Sequence, residues 1–151
     1  MKDRIQLKAL AKINLGLDVL CRREDGYHEV KMIMQTIGLH DDLEIRRTKT
    51  PGIQVKTNLY YLPTNENNLV YKAAKLLMDE FDIKDGVSIQ LKKRIPVAAG
   101  MAGGSSDGAA VLWGINQMYG LGLSRQDLMD RGVKLGADVP YCIQRGTALA
   151  E

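Results

Sequence analysis

Several features that define special classes of protein are absent from this 151-residue sequence. No stretch approaches the roughly 18 uninterrupted apolar residues that suggest a transmembrane helix. Residues 1–4 lead directly into an alternating segment, without the apolar region of a secretory signal. The two cysteines, Cys21 and Cys142, are too few for a disulfide scaffold and lack the spacing of metal ligands. A cytoplasmic protein is therefore the default expectation.

The sequence also has few histidines and little net charge. Lys and Arg total 21 against 18 Asp and Glu, and the basic residues are spread along the chain. Proteins that bind nucleic acids concentrate basic residues on one face, so no nucleic-acid partner is expected. The segment His28-Glu29-Val30-Lys31-Met32 has Met32 where a zinc protease has its second histidine. Since His40 is the only other histidine, a catalytic zinc site is not expected.

The residues that are present have the composition of one compact domain, with 45% apolar and 26% charged residues. Alternation of apolar and polar residues predicts strands over residues 5–10, 13–19, 30–39, 43–46, 53–56 and 87–91, with a turn at 24–27. Helical spacing predicts helices over residues 69–81, 105–119 and 124–135. Asn67 and Asn68 precede the first helix and make an asparagine available as its cap, Gly86 should break that helix, and Ser124 and Asp127 cap the third. A final strand over 141–149 completes an α+β fold, with strands in the first half and helices mainly in the second.

The segment 96–110 is the strongest candidate for a binding site. Its residues are almost all small, so backbone N–H groups can approach a ligand closely, and it leads into a predicted helix. The start of a helix favours an anion, and Ser105 and Ser106 add hydroxyls there. The segment matches neither the Walker loop nor the dinucleotide-binding motif. From these residues alone, a phosphate cradle and a plain small-residue turn, with Ser105 and Asp107 only capping the helix that follows, both remain open.

Three further segments carry polar groups where chemistry could occur. Lys12 stands at the start of an apolar alternating strand, and Asp138 stands in the apolar turn Gly-Ala-Asp-Val-Pro at 136–140. Tyr27 and His28 follow a tight-turn signal. Taken singly, Lys12 fits a surface lysine and Asp138 fits a residue that caps a turn.

Together, and in this order, the four segments resemble one family. Pro-(x)3-Gly-Met-Ala-Gly-Gly-Ser-Ser-Asp at 96–107 resembles the nucleotide-binding loop of the GHMP kinases, which include galactokinase, homoserine kinase and mevalonate kinase. Lys12-Ile13-Asn14-Leu15, Asp25-Gly26-Tyr27-His28 and the 136–140 segment narrow the resemblance to the branch that acts on 4-diphosphocytidyl-2-C-methyl-D-erythritol. The resemblance extends over residues 11–150.

The resemblance implies a fold, a domain organisation and a reaction. The fold is the α+β domain of the GHMP kinases with a left-handed β-α-β unit, as in the second domain of a small-subunit ribosomal protein. Residues 1–151 correspond to the N-terminal, ATP-binding domain, and the C-terminal GHMP domain is absent from this chain. The enzyme would transfer a phosphoryl group from ATP to the 2-hydroxyl of its substrate, in the non-mevalonate route to isoprenoid precursors. It would act as a monomer or a homodimer.

The same resemblance assigns the catalytic and substrate-binding residues. Lys12 and Asp138 fall on the family's catalytic lysine and aspartate. Asp138 would accept or orient the proton of the substrate hydroxyl, and Lys12 would offset charge that develops in the transition state. Asn14 would face the erythritol end of the substrate, while Tyr27 would stack on the cytidine base and His28 would hydrogen-bond to its edge.

The resemblance also assigns the residues that would bind ATP. Asn68 and Lys93 match positions near the adenosine, and Mg²⁺ is expected with ATP, with Ser105 or Ser106 as a ligand. The residues that would wrap the ATP phosphates are Pro96, Val97, Ala98, Ala99, Gly100, Met101, Ala102, Gly103, Gly104, Ser105, Ser106 and Asp107.

Two alternatives stand beside this hypothesis. Another GHMP kinase, acting on mevalonate or homoserine, would have no base to place on Tyr27 and His28. A non-catalytic RNA-binding or protein-binding domain of the same fold would need a basic face, and its RNA binding would depend on salt. The chain also departs from the family's commonest loop, because alanines replace several of its glycines. Gly108 in turn replaces the usual alanine in the following helix, where glycine is the poorer helix former.

Overall fold

The computed structural model describes residues 2–22, 28–96, 103–145 and 147–149, and within these ranges it describes side chains except those of residues 13–37 and 145–149. Five strands and four helices follow one another along the described chain. They are β1 (Arg4–Arg22), β2 (His28–Thr48), β3 (Gly52–Thr57), α1 (Leu69–Glu80), β4 (Gly86–Lys92), α2 (Gly103–Tyr119), α3 (Arg125–Gly132), α4 (Val139–Arg145) and β5 (Thr147–Leu149). Within these ranges no helix is long and apolar enough to cross a membrane.

The strands form one mixed sheet in the order β3-β4-β2-β1-β5. β2 lies antiparallel to both β1 and β4, and β5 lies antiparallel to β1. β3 is parallel to β4, and α1 connects the two, because parallel neighbours need a crossover rather than a tight turn. The mixed sheet and its helices confirm the predicted α+β fold. The left-handed sense of the β3-α1-β4 unit stays a prediction.

The core lies between the sheet and helices α1 and α2. Alternate residues of the strands are buried, among them Leu7 on β1, Ile45 on β2 and Ile89 on β4. Helix α2 packs directly on β1 and β2, since a Cβ on Gly114 would lie 2.7 Å from Cδ1 of Leu7 and 2.8 Å from Cδ1 of Ile45. Glycine at this position allows the helix and the sheet to approach closely.

Strands β1 and β2 are longer than predicted. The alternation patterns predict two strands in each region, whereas each region forms one continuous strand. In β1 the gap between the two predicted strands coincides with a shift of register between Leu10 and Lys12. A bulge of this kind interrupts the alternation of side chains without ending the strand. The turn predicted at 24–27 lies outside the described residues.

Helix α1 begins at the predicted residue and ends earlier than predicted. The Asn68 side chain accepts a hydrogen bond from an amide of the first turn, which confirms the asparagine N-cap and places it at residue 68. At the other end, Asp82 has a φ of 53°, and the Ile83 amide donates to the Met78 carbonyl at 2.9 Å. This is the bond of a Schellman motif, formed here with aspartate in the left-handed position. The helix therefore ends before Gly86, the residue expected to break it.

Helix α3 confirms the predicted capping box. Oγ of Ser124 accepts from the Asp127 amide, and Oδ2 of Asp127 accepts from the Ser124 amide, both at 3.0 Å. The helix ends at Gly132 rather than at the predicted Leu135. The residues beyond Gly132 form turns that lead to α4.

The prediction of a strand over residues 141–149 is wrong for most of that segment. Helix α4 occupies its first half, and only β5 is extended. Pro140 fits in the first turn of α4, where its missing N–H costs no hydrogen bond. The buried residues follow the i, i+3, i+4 spacing of a helix face: Val139, Cys142 and Ile143. This spacing, rather than the apolar and β-branched composition, decides the local structure.

Gly108 and Gly114 of helix α2 provide a matched pair of substitutions. A Cβ on Gly108 would lie 3.4 Å from Cβ of Leu69, an ordinary contact, whereas Gly114 leaves no such room. Replacement by alanine gains about 1 kcal/mol of helix propensity at either position. We expect Gly114→Ala to be about 1–3 kcal/mol less stable than Gly108→Ala, because only the former overfills the core. Urea unfolding followed by circular dichroism measures the difference, and equal stabilities would contradict the close packing of α2 on the sheet.

Candidate active site

Two residues from opposite ends of the chain, Lys12 and Asp138, meet at one point. Nζ of Lys12 lies 3.7 Å from Oδ1 of Asp138. The Lys12 side chain is 5% exposed, whereas the Asp138 side chain is 51% exposed. A buried positive charge thus lies beside a carboxylate that a ligand can reach. The two residues that the family resemblance assigns to catalysis are brought together.

Local structure explains the position of each. The neighbouring residues Ala11 and Lys12 are both buried, because the register shift after Leu10 interrupts the alternation of strand β1. Asp138 directly precedes α4, and its carbonyl accepts a hydrogen bond from the Cys142 amide at 3.1 Å, as an N-cap residue does. The helix dipole favours a carboxylate at such a position.

The first turn of helix α2 lies next to this pair. The helix starts at Gly103 rather than at the predicted Ser105. A Cβ on Gly136 would lie 4.0 Å from Oγ of Ser105, so the turn that carries Asp138 approaches the start of α2. Gly104 is exposed and Ser105 is half-buried. The lysine–aspartate pair and the end of the small-residue segment therefore share one region.

Ser106 differs from Ser105 in its surroundings. It is buried, and its Oγ donates a hydrogen bond to the Leu10 carbonyl at 2.6 Å. This bond ties the first turn of α2 to β1 at the residue where the register shift before Lys12 begins. Of the two hydroxyls, that of Ser105 is the more accessible to a ligand.

A buried ion cluster of Asp41, Lys93 and Asp107 lies at the same end of α2. Nζ of Lys93 lies 2.6 Å from Oδ2 of Asp41 and 2.8 Å from Oδ2 of Asp107. Oδ1 of Asp41 accepts hydrogen bonds from the backbone amides of Arg94 at 2.6 Å and Ile95 at 2.8 Å. All three side chains of the cluster are at most 5% exposed. The cluster is therefore sealed from solvent.

Burial and mutual contacts shift the protonation of these groups. Burial raises the pKa of Asp107 well above its ordinary value, and the Asp41 carboxyl adds to the rise. Burial acts in the same direction on Asp41, but hydrogen bonds with Asp107, Lys93 and two backbone amides hold its pKa below the ordinary value. Burial lowers the pKa of Lys93, but the two carboxylates outweigh it and the net shift is upward. The cluster is thus an ionised Asp41–Lys93 pair with Asp107 as the carboxyl that is more easily protonated.

Cys142 is buried close to the lysine–aspartate pair. Burial, with a smaller effect of the Asp138 charge, raises the pKa of its thiol to about 12. The thiol is therefore neutral at pH 7, whereas a nucleophilic cysteine needs its thiolate form. Among the described side chains, no group of three or more His, Cys, Asp or Glu residues is arranged to hold a metal ion.

Asn68 and Lys93, both predicted to lie near the adenosine, have partners within the protein. Nδ2 of Asn68 donates to the Pro63 carbonyl at 3.0 Å, and its Oδ1 accepts from the Val70 amide at 2.9 Å. The Lys93 ammonium is held by two carboxylates. Contact of either residue with a nucleotide stays a prediction.

Several predicted site residues fall outside the described parts of the chain. They are Tyr27, Val97, Ala98, Ala99, Gly100, Met101 and Ala102. For Asn14 and His28 the backbone alone is described, and it pairs with Met34 and Arg22 respectively. Pro96 is described and exposed. The roles assigned to all these residues stay predictions.

Asp41 is the residue of this region that sequence reasoning missed. It is fully buried, as are its neighbours of the same strand phase, Leu43 and Ile45. The period-two pattern that predicts burial of these two residues therefore predicts burial of Asp41 as well. Because a buried charge is rare unless it is paired, an aspartate on the buried side of a strand indicates a buried cation nearby.

Comparison with known families agrees with the geometry. The model of the GHMP kinases N terminal domain matches residues 68–146, just over half of the chain. The matched range runs from the cap of α1 through the small-residue segment to the end of α4. The chain belongs to the GHMP kinase family.

Three individual proteins that are similar to this chain belong to one branch of the family. The chain is 63% identical over 149 residues to 4-diphosphocytidyl-2-C-methyl-D-erythritol kinase of Lachnoclostridium phytofermentans, covering 99% of this chain and 51% of that protein. It is 56% identical over 149 residues to the kinase of the same name from Lachnospira eligens, covering 99% and 52%. A crystal structure of 4-(cytidine 5'-diphospho)-2C-methyl-D-erythritol kinase matches with a TM-score of 0.74 at 38% identity, covering 97% and 51%. These matches confirm the resemblance predicted from the motifs, and the chain spans about half the length of the curated relatives it matches.

The two serines at the start of α2 allow a test of this arrangement. Ser106→Ala removes the hydrogen bond that the Ser106 hydroxyl donates to the Leu10 carbonyl. No other described side chain donates to this carbonyl, and Leu10 is half-buried. We expect a loss of about 1–3 kcal/mol in the free energy of unfolding. Ser105→Ala is the matched control and should change stability by no more than about 0.5 kcal/mol. Thermal and urea unfolding of both variants measure the difference, and a Ser106→Ala variant as stable as the control would contradict the assigned bond.

Proposed function

We propose that this chain is the N-terminal, nucleotide-binding domain of an ATP-dependent kinase that phosphorylates the 2-hydroxyl of 4-diphosphocytidyl-2-C-methyl-D-erythritol. The observation that carries the proposal is the pairing of Lys12 with Asp138 beside the start of α2. Similarity to kinases named for that substrate supports it. A second GHMP domain would supply the rest of the cleft, and the enzyme would work in the cytoplasm as a monomer or a homodimer.

The lysine–aspartate pair suits phosphoryl transfer to an alcohol. The half-exposed Asp138 carboxylate is placed to accept the proton of a hydroxyl that approaches from the solvent side. The Lys12 ammonium, 3.7 Å away, adds a fixed positive charge next to the reacting groups. Negative charge spreads over the oxygens of a phosphoryl group as it is transferred, so a fixed cation nearby lowers the barrier.

The first turn of α2 suits the phosphates of the nucleotide. The helix is 17 residues long and begins with Gly103 and Gly104, which carry no side chain to shield the first amides. Those amides and the positive end of the helix dipole favour an anion. Because the turn before Asp138 lies beside this part of α2, bound phosphates would sit next to the alcohol that Asp138 holds.

Mg²⁺ is expected to accompany ATP, and Ser105 is the hydroxyl best placed to hold it. The Ser105 side chain is half-buried, while that of Ser106 is buried and donates to Leu10. When bound, Mg²⁺ neutralises charge on the phosphate oxygens. Asp107 fits a structural contact with Lys93 better than a metal contact, since it is sealed from solvent.

The cytidine end of the substrate is assigned to Tyr27 and His28, and the erythritol end to Asn14. An aromatic ring can stack on a pyrimidine, and an imidazole can hydrogen-bond to its edge. This assignment depends on the motif resemblance and on the identity to the named kinases. A relative that acts on mevalonate or homoserine would have no base to bind there.

Catalytic roles of Lys12 and Asp138 are tested in the full-length enzyme. Asp138→Asn removes the proton acceptor and Lys12→Met removes the charge while keeping a similar shape. We expect Asp138→Asn to lower kcat by about 10²–10⁴-fold, the contribution of a positioned proton acceptor. Lys12→Met should lower kcat by about 10²–10³-fold, the loss of one preorganised group that stabilises charge in the transition state. Release of ADP in a coupled assay measures turnover, and circular dichroism checks that the variants fold.

Lys75 and Asp79 supply the matched control for that experiment. They form an exposed ion pair at 3.0 Å on helix α1. Lys75→Met and Asp79→Asn make the same changes of charge in an exposed lysine–aspartate pair, so kcat should stay within about twofold of the unmodified enzyme. Near-normal turnover of Asp138→Asn or Lys12→Met would refute the assigned roles.

Substrate identity requires a separate test. We expect turnover with 4-diphosphocytidyl-2-C-methyl-D-erythritol and none with mevalonate or homoserine, because recognition includes the cytidine base. CDP should compete with the alcohol substrate, and Tyr27→Ala should weaken that competition by about tenfold, the loss of one stacking contact. Weak or absent competition by CDP in the unmodified enzyme would argue for another GHMP substrate, and competition that Tyr27→Ala and His28→Ala leave unchanged would refute the roles assigned to these two residues.

A further inference from the structure

We propose that Asp41, Lys93 and Asp107 form a positioning cluster that holds the first turn of α2 in place for nucleotide binding. The inference rests on the proposed function, because the nucleotide phosphates are what that turn would bind. All three side chains are buried, so in this role Lys93 and Asp107 would not make the direct nucleotide contacts that the family resemblance implies for them, and none of the three would touch the reacting atoms. The cluster acts through the backbone that it holds.

The cluster joins the part of the chain just before the small-residue segment to the part just after it. Lys93 directly follows strand β4, and Asp107 lies in α2 a few residues after its start. Nζ of Lys93 lies 2.8 Å from Oδ2 of Asp107, a contact between residues 14 positions apart. The contact between Lys93 and Asp107 therefore sets the distance between the end of β4 and the start of α2, and neither residue belongs to the intervening residues 97–102.

Asp41 anchors this connection to the middle of the sheet. It lies on β2, which is flanked by β1 and β4. Its Oδ2 accepts from Lys93 at 2.6 Å, and its Oδ1 accepts from the Arg94 and Ile95 amides. Asn58 adds to this, because its side chain accepts from the Lys93 amide at 2.8 Å and donates to the Lys93 carbonyl at 3.3 Å. The path of the chain from β4 toward α2 is therefore held by two side chains.

The start of α2 packs directly against the cluster. A Cβ on Gly103 would lie 3.0 Å from Nζ of Lys93 and 3.1 Å from Cγ2 of Ile95. The glycine thus allows the first residue of the helix to lie against the ammonium group. A displacement of Lys93 or Asp107 would move the turn whose amides face the phosphates.

The composition of the cluster indicates a role other than stability. Two carboxyl groups share one ammonium, and Oδ1 of Asp107 is buried with no hydrogen-bond partner among the residues that the structure describes. Such an oxygen is disfavoured in a protein interior, where nearly all polar atoms are paired. Well-packed apolar residues are often at least as stable as a buried ion cluster, so its retention fits a demand for a defined geometry.

The test uses Asp107→Leu, which removes the contact between Lys93 and helix α2 and leaves Lys93 and Asp41 as a pair of opposite charges. Asp107→Asn is the conservative variant, because its side-chain oxygen can still accept from Lys93. In the full-length enzyme, we expect Asp107→Leu to raise KM for ATP by about tenfold or more. KM for the alcohol substrate should change by less than about twofold, since the lysine–aspartate pair is untouched. Asp107→Asn should give a clearly smaller rise.

Asp85→Leu is the matched control at the opposite ends of the same strand and helix. Asp85 precedes β4, accepts from Arg47 at 2.7 and 2.9 Å, and accepts from the hydroxyl of Tyr119 at the end of α2 at 3.2 Å. Its replacement should lower Tm without changing KM for ATP. A structural effect on α2 as a whole would raise KM for ATP in this variant too, and would count against a specific positioning role.

Calorimetric titration with MgADP separates this inference from the proposed function. If the unmodified enzyme does not bind MgADP, the proposed function fails and the positioning role fails with it. If it binds MgADP and Asp107→Leu binds equally well, the positioning role alone is refuted. If Asp107→Leu does not fold, Asp107→Asn decides the question, because about a threefold or larger rise in Kd is expected and no change would overturn the proposal.

Discussion

The close packing of helix α2 on strands β1 and β2 is the constraint on which the candidate site depends. Gly114 in the middle of the helix allows its backbone to reach Leu7 and Ile45 of the sheet. Near its start, Ser106 is bonded to the Leu10 carbonyl and Asp107 to Lys93. One helix therefore contacts the apolar core and the irregular part of β1, and it carries the turn proposed to bind phosphates. Because an α-helix has a regular, hydrogen-bonded geometry, fixing one part of it also fixes the other parts.

Two kinds of charge pair lie at this end of the molecule, and their burial separates their roles. The carboxylate of Asp138 is half exposed and stays accessible to a substrate, while Lys12 behind it is buried. In the cluster of Asp41, Lys93 and Asp107 every side chain is sealed. Removing charges from water offsets most of what their attraction contributes, so a sealed cluster fixes geometry more than it adds stability. The exposed pair is suited to chemistry and the sealed cluster to support.

Features that depend on neighbours in sequence were predictable from the sequence. The asparagine cap of α1 and the Ser124–Asp127 capping box of α3 were both predicted and confirmed, because a cap is a contact between residues two or three positions apart. The strand predicted over 141–149 was wrong because its apolar residues also fit a helix, and packing of Val139 against Gly132 of α3 favours that helix. Short apolar segments are ambiguous in this way until their neighbours are known.

The sequence by itself determined the alternating strands, the helix caps and the four motifs that identify the family. Tertiary structure decided which of the polar residues meet. It joined Lys12 to Asp138, buried Ser106 against Leu10, and placed Asp41 beside Lys93. The physical reason is that periodicity and capping are properties of adjacent residues, whereas a contact between distant residues depends on the register of the sheet and on the helix packed against it. The gap between the two strands predicted in β1 coincides with the register shift after Leu10, but the burial of Lys12 there depends on the strands and the helix that pack around it.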